Sequence, residues 1–255
     1  MLKTRLLTAA VGIPVLIGTA WLGGMYWTGL VALLALVATA EFVSMARQGG
    51  YRPVAMLALL LLSLQMAVVM GGTGDAAMVL LGLLLVSGVQ IALFPEVRLA
   101  DLALTWFGAV YIGVLFGYGL RIEAALAEPF FVLLLGFLLT WASDTGGYFA
   151  GRLLGRRKLA PLLSPGKTVE GSLGALLLTV AVAVAMLWGR QPLLDAVLLG
   201  GAASVLAQAG DLMESAMKRH FGVKDSGSIL PGHGGVLDRF DSFMWVLPLL
   251  YYYFR

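Results

Sequence analysis

A chain of 255 residues with 60% apolar and 12% charged side chains and a net charge of +3 is not built like a soluble globular protein, whose charged fraction is about 25%. A mean hydropathy of +0.93 and 33 glycines point the same way, because glycine is commoner in membrane helices than in soluble ones. The absence of cysteine excludes disulfides and thiolate metal centres, and so small a net charge gives no reason to expect a nucleic-acid partner.

A membrane-spanning helix needs about 20 mostly apolar residues. Nine stretches qualify, at approximately 6–22, 25–46, 53–70, 76–94, 102–120, 130–150, 169–189, 193–217 and 235–252. Gly23-Gly24, Gly49-Gly50, Gly71-Gly72, Pro95, Pro129 and Pro192 punctuate them. No repeat, low-complexity tract or heptad seam is present. The expectation is an all-α polytopic integral membrane protein with about nine transmembrane helices.

Basic residues collect on the cytoplasmic side of a membrane protein. With Lys3 and Arg5 placed there, alternate connections put Arg47, Arg52, Arg98, Arg152, Arg156, Arg157, Lys158, Lys167, Lys218, Arg219, Lys224 and Arg239 on the same side, 14 of the 17 basic residues in all. Only Arg121, Arg190 and Arg255 fall opposite. The N-terminus is therefore expected inside and the C-terminus outside. Lys3 and Arg5 before an apolar run, with Gly18 and Ala20 ahead of Trp21, also fit a cleaved signal peptide; its removal would leave the remaining topology unchanged.

The ionisable residues follow this topology. Asp144 lies near the end of a helix descending to the cytoplasm, Asp211 and Glu214 near the end of another, and Asp238 and Asp241 at the start of the ninth. Asp238 and Asp241 are three apart, so they share a helix face, and Asp211 and Glu214 repeat the spacing. Charge is expensive in lipid, so clusters of this kind usually mark chemistry on a charged substrate. Paired carboxylates suit Mg²⁺, which takes one or two of them and completes its shell with water and substrate phosphates. Nearby Lys and Arg neutralise what remains, an arrangement that favours phosphoryl or nucleotidyl transfer. The bland alternative is that helix-end charges only anchor helices at the interface or favour the helix dipole. His220 and His233 have no Cys or spaced His companions, which argues against zinc.

Two further clusters share this character. One is Ser143-Asp144-Thr145-Gly146-Gly147-Tyr148, followed by Gly151-Arg152 and Arg156-Arg157-Lys158. The other is Ser164-Pro165-Gly166-Lys167-Thr168, with Glu170-Gly171 opening the seventh helix. Gly166-Lys167-Thr168 suggests a phosphate loop, but that motif requires glycine at position 161, which is proline, and no strand is expected before it. What remains is a short loop with Lys and hydroxyls at a helix N-terminus, a natural anion site. The run Arg156 to Lys158 reads equally as a topology signal or a contact for anionic lipid.

The run from Ser215 to Asp241, with Lys218-Arg219, Lys224-Asp225, Gly227, Leu230-Pro231, His233-Gly234-Gly235, Asp238-Arg239 and Asp241 at its fixed polar positions, resembles the signature of phosphatidate cytidylyltransferases, also called CDP-diacylglycerol synthases. Ser143-Asp144-Thr145-Gly146, the run Ser164-Pro165-x-Lys167-Thr168-x-Glu170-Gly171, and Gly210-Asp211-x-x-Glu214-Ser215 are similar to further motifs of that family, in its order. The resemblance covers about residues 141–245, with Gly166 where family members often carry a second lysine.

It implies CTP and phosphatidic acid as substrates, CDP-diacylglycerol and pyrophosphate as products, Mg²⁺ as cofactor with a second cation such as K⁺ in some members, and a homodimer in the bilayer. The location implied is the bacterial inner membrane, with the active site facing the cytoplasm. The expected catalytic residues are Asp144, Lys167, Asp211, Lys218, Arg219, Asp238, Arg239 and Asp241, with Asp211, Asp238 and Asp241 as metal ligands. Ser164, Thr168, His233, Gly234 and Gly235 are expected to contact substrate. The chain then divides into transmembrane helices over 1–129, as scaffold or lipid-access region, and a catalytic transmembrane region over 130–255 with cytoplasmic-side loops. Cytidylyl transfer to another lipid phosphate, or an ion-coupled transporter, are the rival readings. Transporter sites tend to lie near the midplane on broken helices, whereas here the charge sits at one face.

Overall fold

The computed structural model describes residues 2–71, 75–229, 232 and 234–255. His233, expected to contact substrate, lies outside the described residues. The helices are α1 (Leu2–Leu22), α2 (Gly24–Gln48), α3 (Ala55–Gly71), α4 (Asp75–Ala92), α5 (Leu99–Ala125), α6 (Pro129–Leu154), α7 (Val169–Leu187), α8 (Leu193–His220) and α9 (Leu237–Phe254). These nine, among the described residues, coincide with the nine apolar stretches of the sequence. Five of them, α2, α5, α6, α7 and α8, are long and apolar enough to cross a membrane, and shorter apolar helical stretches lie at Thr8–Leu22, Ala55–Val69 and Leu80–Ala92. Helix α9 carries Asp238, Arg239 and Asp241 in its first five residues. The protein is an all-α integral membrane protein.

One expectation is corrected. A strand was not expected before Gly166-Lys167-Thr168, yet β1 (Lys158–Ala160) precedes it and the Ser-Pro-Gly-Lys-Thr run is itself a strand, β2 (Ser164–Thr168). They pair antiparallel, with Lys158 opposite Thr168, Ala160 opposite Ser164 and an irregularity between. Strands this short, with no alternating apolar pattern, leave no periodic signal. The phosphate-loop reading still fails, because Pro161 remains where glycine is required and the lysine sits within a strand rather than after one.

The chain forms two compact units, Met1–Leu126 with Lys218–Arg239, and Ala127–Met217 with Phe240–Arg255. In the first, α3 and α2 pack along α5. Small residues make this close: Gly108 of α5 lies under the Phe42 ring, Gly113 against Gln65 and Gly117 against Val69. Lipid tails are as apolar as leucine, so close van der Waals contact of this kind is what drives helices together within a membrane. Trp27 is 1% exposed, and its Nε1 donates to the Gly119 carbonyl at 2.9 Å. Gly23 (φ 61°) separates α1 from α2, and the Glu123 carboxylate accepts the orphan N–H of Gly24 at 2.7 Å. At the α2–α3 connection, Asp101 accepts from Arg52 N (2.6 Å) and pairs with Arg98 Nε (2.8 Å).

In the second unit α6 and α7 pack backbone to backbone. A Cβ on Gly146 would strike the Gly174 carbonyl, one on Gly174 would strike Ala150, and one on Gly171 would come within 2.9 Å of the Gly147 carbonyl. The glycines of the Ser-Asp-Thr-Gly-Gly and Glu-Gly-Ser-Leu-Gly runs are thus a crossing surface. Thr168 caps α7 by accepting from Gly171 N at 3.0 Å, and Glu170 accepts from Arg156 N at 3.0 Å, pinning the start of the hairpin. Phe137 of α6 stacks on Phe243 of α9 with centroids 4.3 Å apart.

Candidate active site

The glycine crossing of α6 and α7 has a consequence at one end of the second unit. It brings Ser143 and Asp144 of α6 beside the hairpin and the capped start of α7. There a cavity of about 480 Å³ is lined by Ser143, Asp144, Tyr148 and Arg152 from α6, Gly166, Lys167 and Thr168 from β2, Ser172 from α7, Gln208 and Asp211 from α8, and Ser242 from α9. Three motifs far apart in sequence therefore meet in one concave site. Its size suits a small polar ligand or a headgroup.

Within it, Lys167 Nζ forms an ion pair with Asp211, the two side chains 24% and 33% exposed. Ser172 donates its hydroxyl to Gln208 Oε1, tying α7 to α8, and Gln208 Nε2 donates to Ser204 Oγ at 3.1 Å. Arg152 Nη1 donates to the Tyr148 hydroxyl at 2.6 Å. Gly210 has no room for a side chain, because the Asp241 carbonyl and the Trp245 ring occupy that space. The contact sets the backbone before Asp211 against that of Asp241. Asp241 is 9% exposed and accepts from Ser242 N at 2.6 Å, next to the cavity wall.

The other expected residues, Ser164 apart, lie in the first unit. Lys218 Nζ donates to Asp238 Oδ1 at 2.6 Å, the side chains 14% and 7% exposed. Asp238 Oδ2 accepts from Ser226 N (2.9 Å), Ser226 Oγ (2.8 Å) and Gly235 N (2.9 Å). Both oxygens are thus engaged, and a cation on this carboxylate would have to displace Lys218. Arg219 and Arg239 are exposed, with Arg219 Nη1 donating to the Val223 carbonyl. Gly234 has φ 88°, and a Cβ there would come within 2.7 Å of Asp238 Oδ2; one on Gly235 would come within 2.6 Å of the Glu41 carboxylate. These glycines make room for two carboxylates. Ser164 begins β2 without lining the cavity.

Among the described residues no three His, Asp or Glu side chains stand close enough together to hold a metal. The cavity nevertheless offers Asp144 and Asp211 with the Thr168 and Ser143 hydroxyls, and an oxygen set with two carboxylates suits Mg²⁺, which keeps water and substrate phosphate in its remaining positions.

The sequence profile of the Cytidylyltransferase family matches residues 3–255. The chain belongs to the cytidylyltransferase family. It is 37% identical over 256 residues to a phosphatidate cytidylyltransferase of Staphylococcus haemolyticus, covering 98% of this chain and 97% of the relative. It is 36% identical over 260 residues to that of Staphylococcus epidermidis and 36% over 258 residues to that of Staphylococcus aureus strain COL, with the same two coverages in each case. The likeness to these cytidylyltransferases therefore extends through the first five helices, beyond the motif-bearing residues 141–245.

Sequence reasoning missed Glu41, Ser226, Ser172 and Gln208. Glu41 carried a signal, being a carboxylate inside a helix of otherwise apolar character, and ionisable residues in membrane segments mark function by default. Ser172 and Gln208 carried none, because their partnership depends on how α7 and α8 are set beside each other.

Proposed function

We propose that the chain transfers the cytidylyl group of CTP to phosphatidic acid, giving CDP-diacylglycerol and pyrophosphate. The observation that carries this reading is the cavity in which Asp144, Lys167, Thr168 and Asp211 come together, in a member of the cytidylyltransferase family whose relatives bear the name phosphatidate cytidylyltransferase.

The lipid phosphate is an anionic nucleophile at neutral pH, so no strong general base is required. One of its oxygens attacks the α-phosphorus of CTP; the new P–O bond forms as the bond from that phosphorus to the bridging oxygen breaks, and the electron pair leaves with pyrophosphate. What the protein supplies is position and charge complementarity. Lys167, held on β2, takes a substrate phosphate and in doing so releases Asp211 from its ion pair. Asp211 and Asp144, both lining the cavity, would hold Mg²⁺ as a carboxylate pair, and Asp241, the third ligand of the sequence reading, adjoins Ser242 of the cavity wall. When bound, Mg²⁺ would neutralise phosphate charge and stabilise the leaving group. The Thr168 hydroxyl and the start of α7 favour an anion; Arg219, Arg239, His233, Gly234, Gly235 and Ser164 are the further substrate contacts of this reading, and Lys218 would join them only by leaving Asp238. Asp238, expected as a metal ligand, would hold a cation only in exchange for Lys218. K⁺ is the second cation of this reading.

The same reading has nine spans with the N-terminus inside, a place in the bacterial inner membrane, an active site open to the cytoplasm and a homodimer. The distribution of basic residues supports the orientation. Transfer of labelled CTP into lipid by the detergent-purified protein, with phosphatidic acid and Mg²⁺ and an EDTA control, tests the reaction. Metal-dependent CDP-diacylglycerol with pyrophosphate release is expected. No product from folded protein supplied with K⁺ and varied acyl chains would overturn it.

A further inference from the structure

Glu41 stands in the second half of the apolar helix α2 and is 4% exposed, yet among the described residues it makes no ion pair. A carboxylate so placed is costly unless hydrogen bonds hold its charge. Its bonds all go to one segment, nearly two hundred residues away in sequence. Oε1 accepts from Val236 N at 2.9 Å, and Oε2 accepts from Leu237 N at 3.0 Å and from Ser226 Oγ at 3.3 Å. The first four N–H groups of a helix have no partner within it, and Leu237 opens α9. Glu41 therefore caps α9 from another helix, with favourable charge at the positive end of the helix dipole.

The fit is close on both sides. A Cβ on Gly227 would come within 2.6 Å of Glu41 Oε1, and one on Gly235 within 2.6 Å of both carboxylate oxygens. The same α2 helix grips the start of this segment through Phe42, whose ring meets Phe221 edge-on with centroids 5.8 Å apart, while Gly49 at its end lies against the Phe221 backbone. Tyr51 then hydrogen-bonds His220 at 3.2 Å. Ser226 is shared between the carboxylates of Glu41 and Asp238, so the loop is stitched from two sides.

We propose that Glu41 is a positioning residue for the cytidylyl transfer, acting through α9, the helix that carries Asp238, Arg239 and Asp241. This rests on the reaction proposed above. The N-terminal helices are then more than a lipid-facing scaffold, because α2 sets where the signature loop ends and where α9 begins. In Glu41→Gln one oxygen becomes an NH₂ group facing backbone N–H donors, so at least one of the two cap bonds is lost at nearly constant volume. Small misplacements of reacting groups cost up to about 100-fold in rate.

Two measurements on the full-length protein in detergent test this. In Glu41→Gln, kcat per folded protein should fall by about 10- to 100-fold, and the Mg²⁺ concentration for half-maximal rate should rise. Amide exchange at Val236 and Leu237 should accelerate. Gly227→Ala, which presses on the same carboxylate, should reproduce all three changes, and Glu41→Asp should recover part of the rate. Val31→Ala, a cavity in the same helix away from the loop, should lower the melting temperature while leaving kcat per folded protein and the Mg²⁺ requirement unchanged. Wild-type kcat and Mg²⁺ dependence in Glu41→Gln would overturn the proposal, as would losses that only follow melting temperature in Glu41→Gln and Val31→Ala alike. If the wild-type protein makes no CDP-diacylglycerol, the reaction reading has failed instead, and exchange at Val236 and Leu237 still decides whether Glu41 holds α9.

Discussion

Two lysine–aspartate pairs of similar appearance do different work. Lys167 and Asp211 are a quarter and a third exposed and line the cavity, and each presents polar atoms to an approaching ligand. Lys218 and Asp238 are nearly buried, and Asp238 accepts three further hydrogen bonds from the loop around it. An open pair contributes little to stability, about 0–1 kcal/mol, and can exchange partners at low cost. A closed pair with its lone pairs satisfied costs about 3–5 kcal/mol to break by removing one member. Openness to exchange marks the ligand-binding pair of the second unit, and saturation marks the pair of the first unit that holds the loop.

The sharpest test is Asp211→Asn. It removes a proposed metal carboxylate at constant volume, so turnover should fall by roughly 100- to 1000-fold, the usual cost of losing one preorganised charge-stabilising group. Its melting temperature in detergent should stay near wild type. Activity within a few-fold of wild type would place the metal elsewhere and remove the contrast between the pairs.

Asp238→Asn should show the reverse emphasis. It leaves Lys218 partly buried without its counter-charge and sets an amide NH₂ against loop donors, so stability should fall by about 3–5 kcal/mol. A clear drop in melting temperature is the reading to look for. An Asp238→Asn protein that melts normally but has lost its Mg²⁺ dependence would make this carboxylate a metal ligand and collapse the distinction.

That distinction was only half legible in the sequence. The nine helices among the described residues followed from apolar length, and five of them are long and apolar enough to cross a membrane. Asp144, Lys167 and Asp211 could be selected as polar residues at one membrane face, and the cavity unites them. The sequence did not separate Asp211 from Asp238, since each is followed three residues later by a second carboxylate, Glu214 or Asp241, and their difference lies in how many donors surround each. The hairpin was missed because Lys158–Ala160 is too short to show a period. Glu41 was passed over because its partners at Ser226, Val236 and Leu237 are brought to it only by the fold.

Lys167→Ala probes the open pair from its other member. Loss of a charged hydrogen bond to substrate phosphate is worth about 1.5–3 kcal/mol, so kcat/KM should fall by about 10- to 100-fold, mostly through KM. Asp211, partly exposed, loses its counter-charge at small cost to stability. Unchanged kinetics would return the Ser-Pro-Gly-Lys-Thr strand to a structural role and leave the cavity without its cation.

The gentlest test adds charge to the open pair instead of removing it. Gly166 lines the cavity, and a Cβ there would meet no heavy atom within 4 Å, so Gly166→Lys should fold as the wild type does. Successive side chains on a strand point to opposite faces, so a lysine at 166 acts on the cavity mainly through its field rather than by a second direct bond. KM for CTP should then fall by about two- to threefold at low ionic strength, and the gain should fade toward about 1 M salt, where the screening length shrinks to about 3 Å. The same substitution beside a saturated pair would do nothing, since no partner there is available to an incoming anion. A KM that stays put at low salt would mean that this stretch of β2 does not contribute to the potential the substrate feels, and that Lys167 works by contact alone.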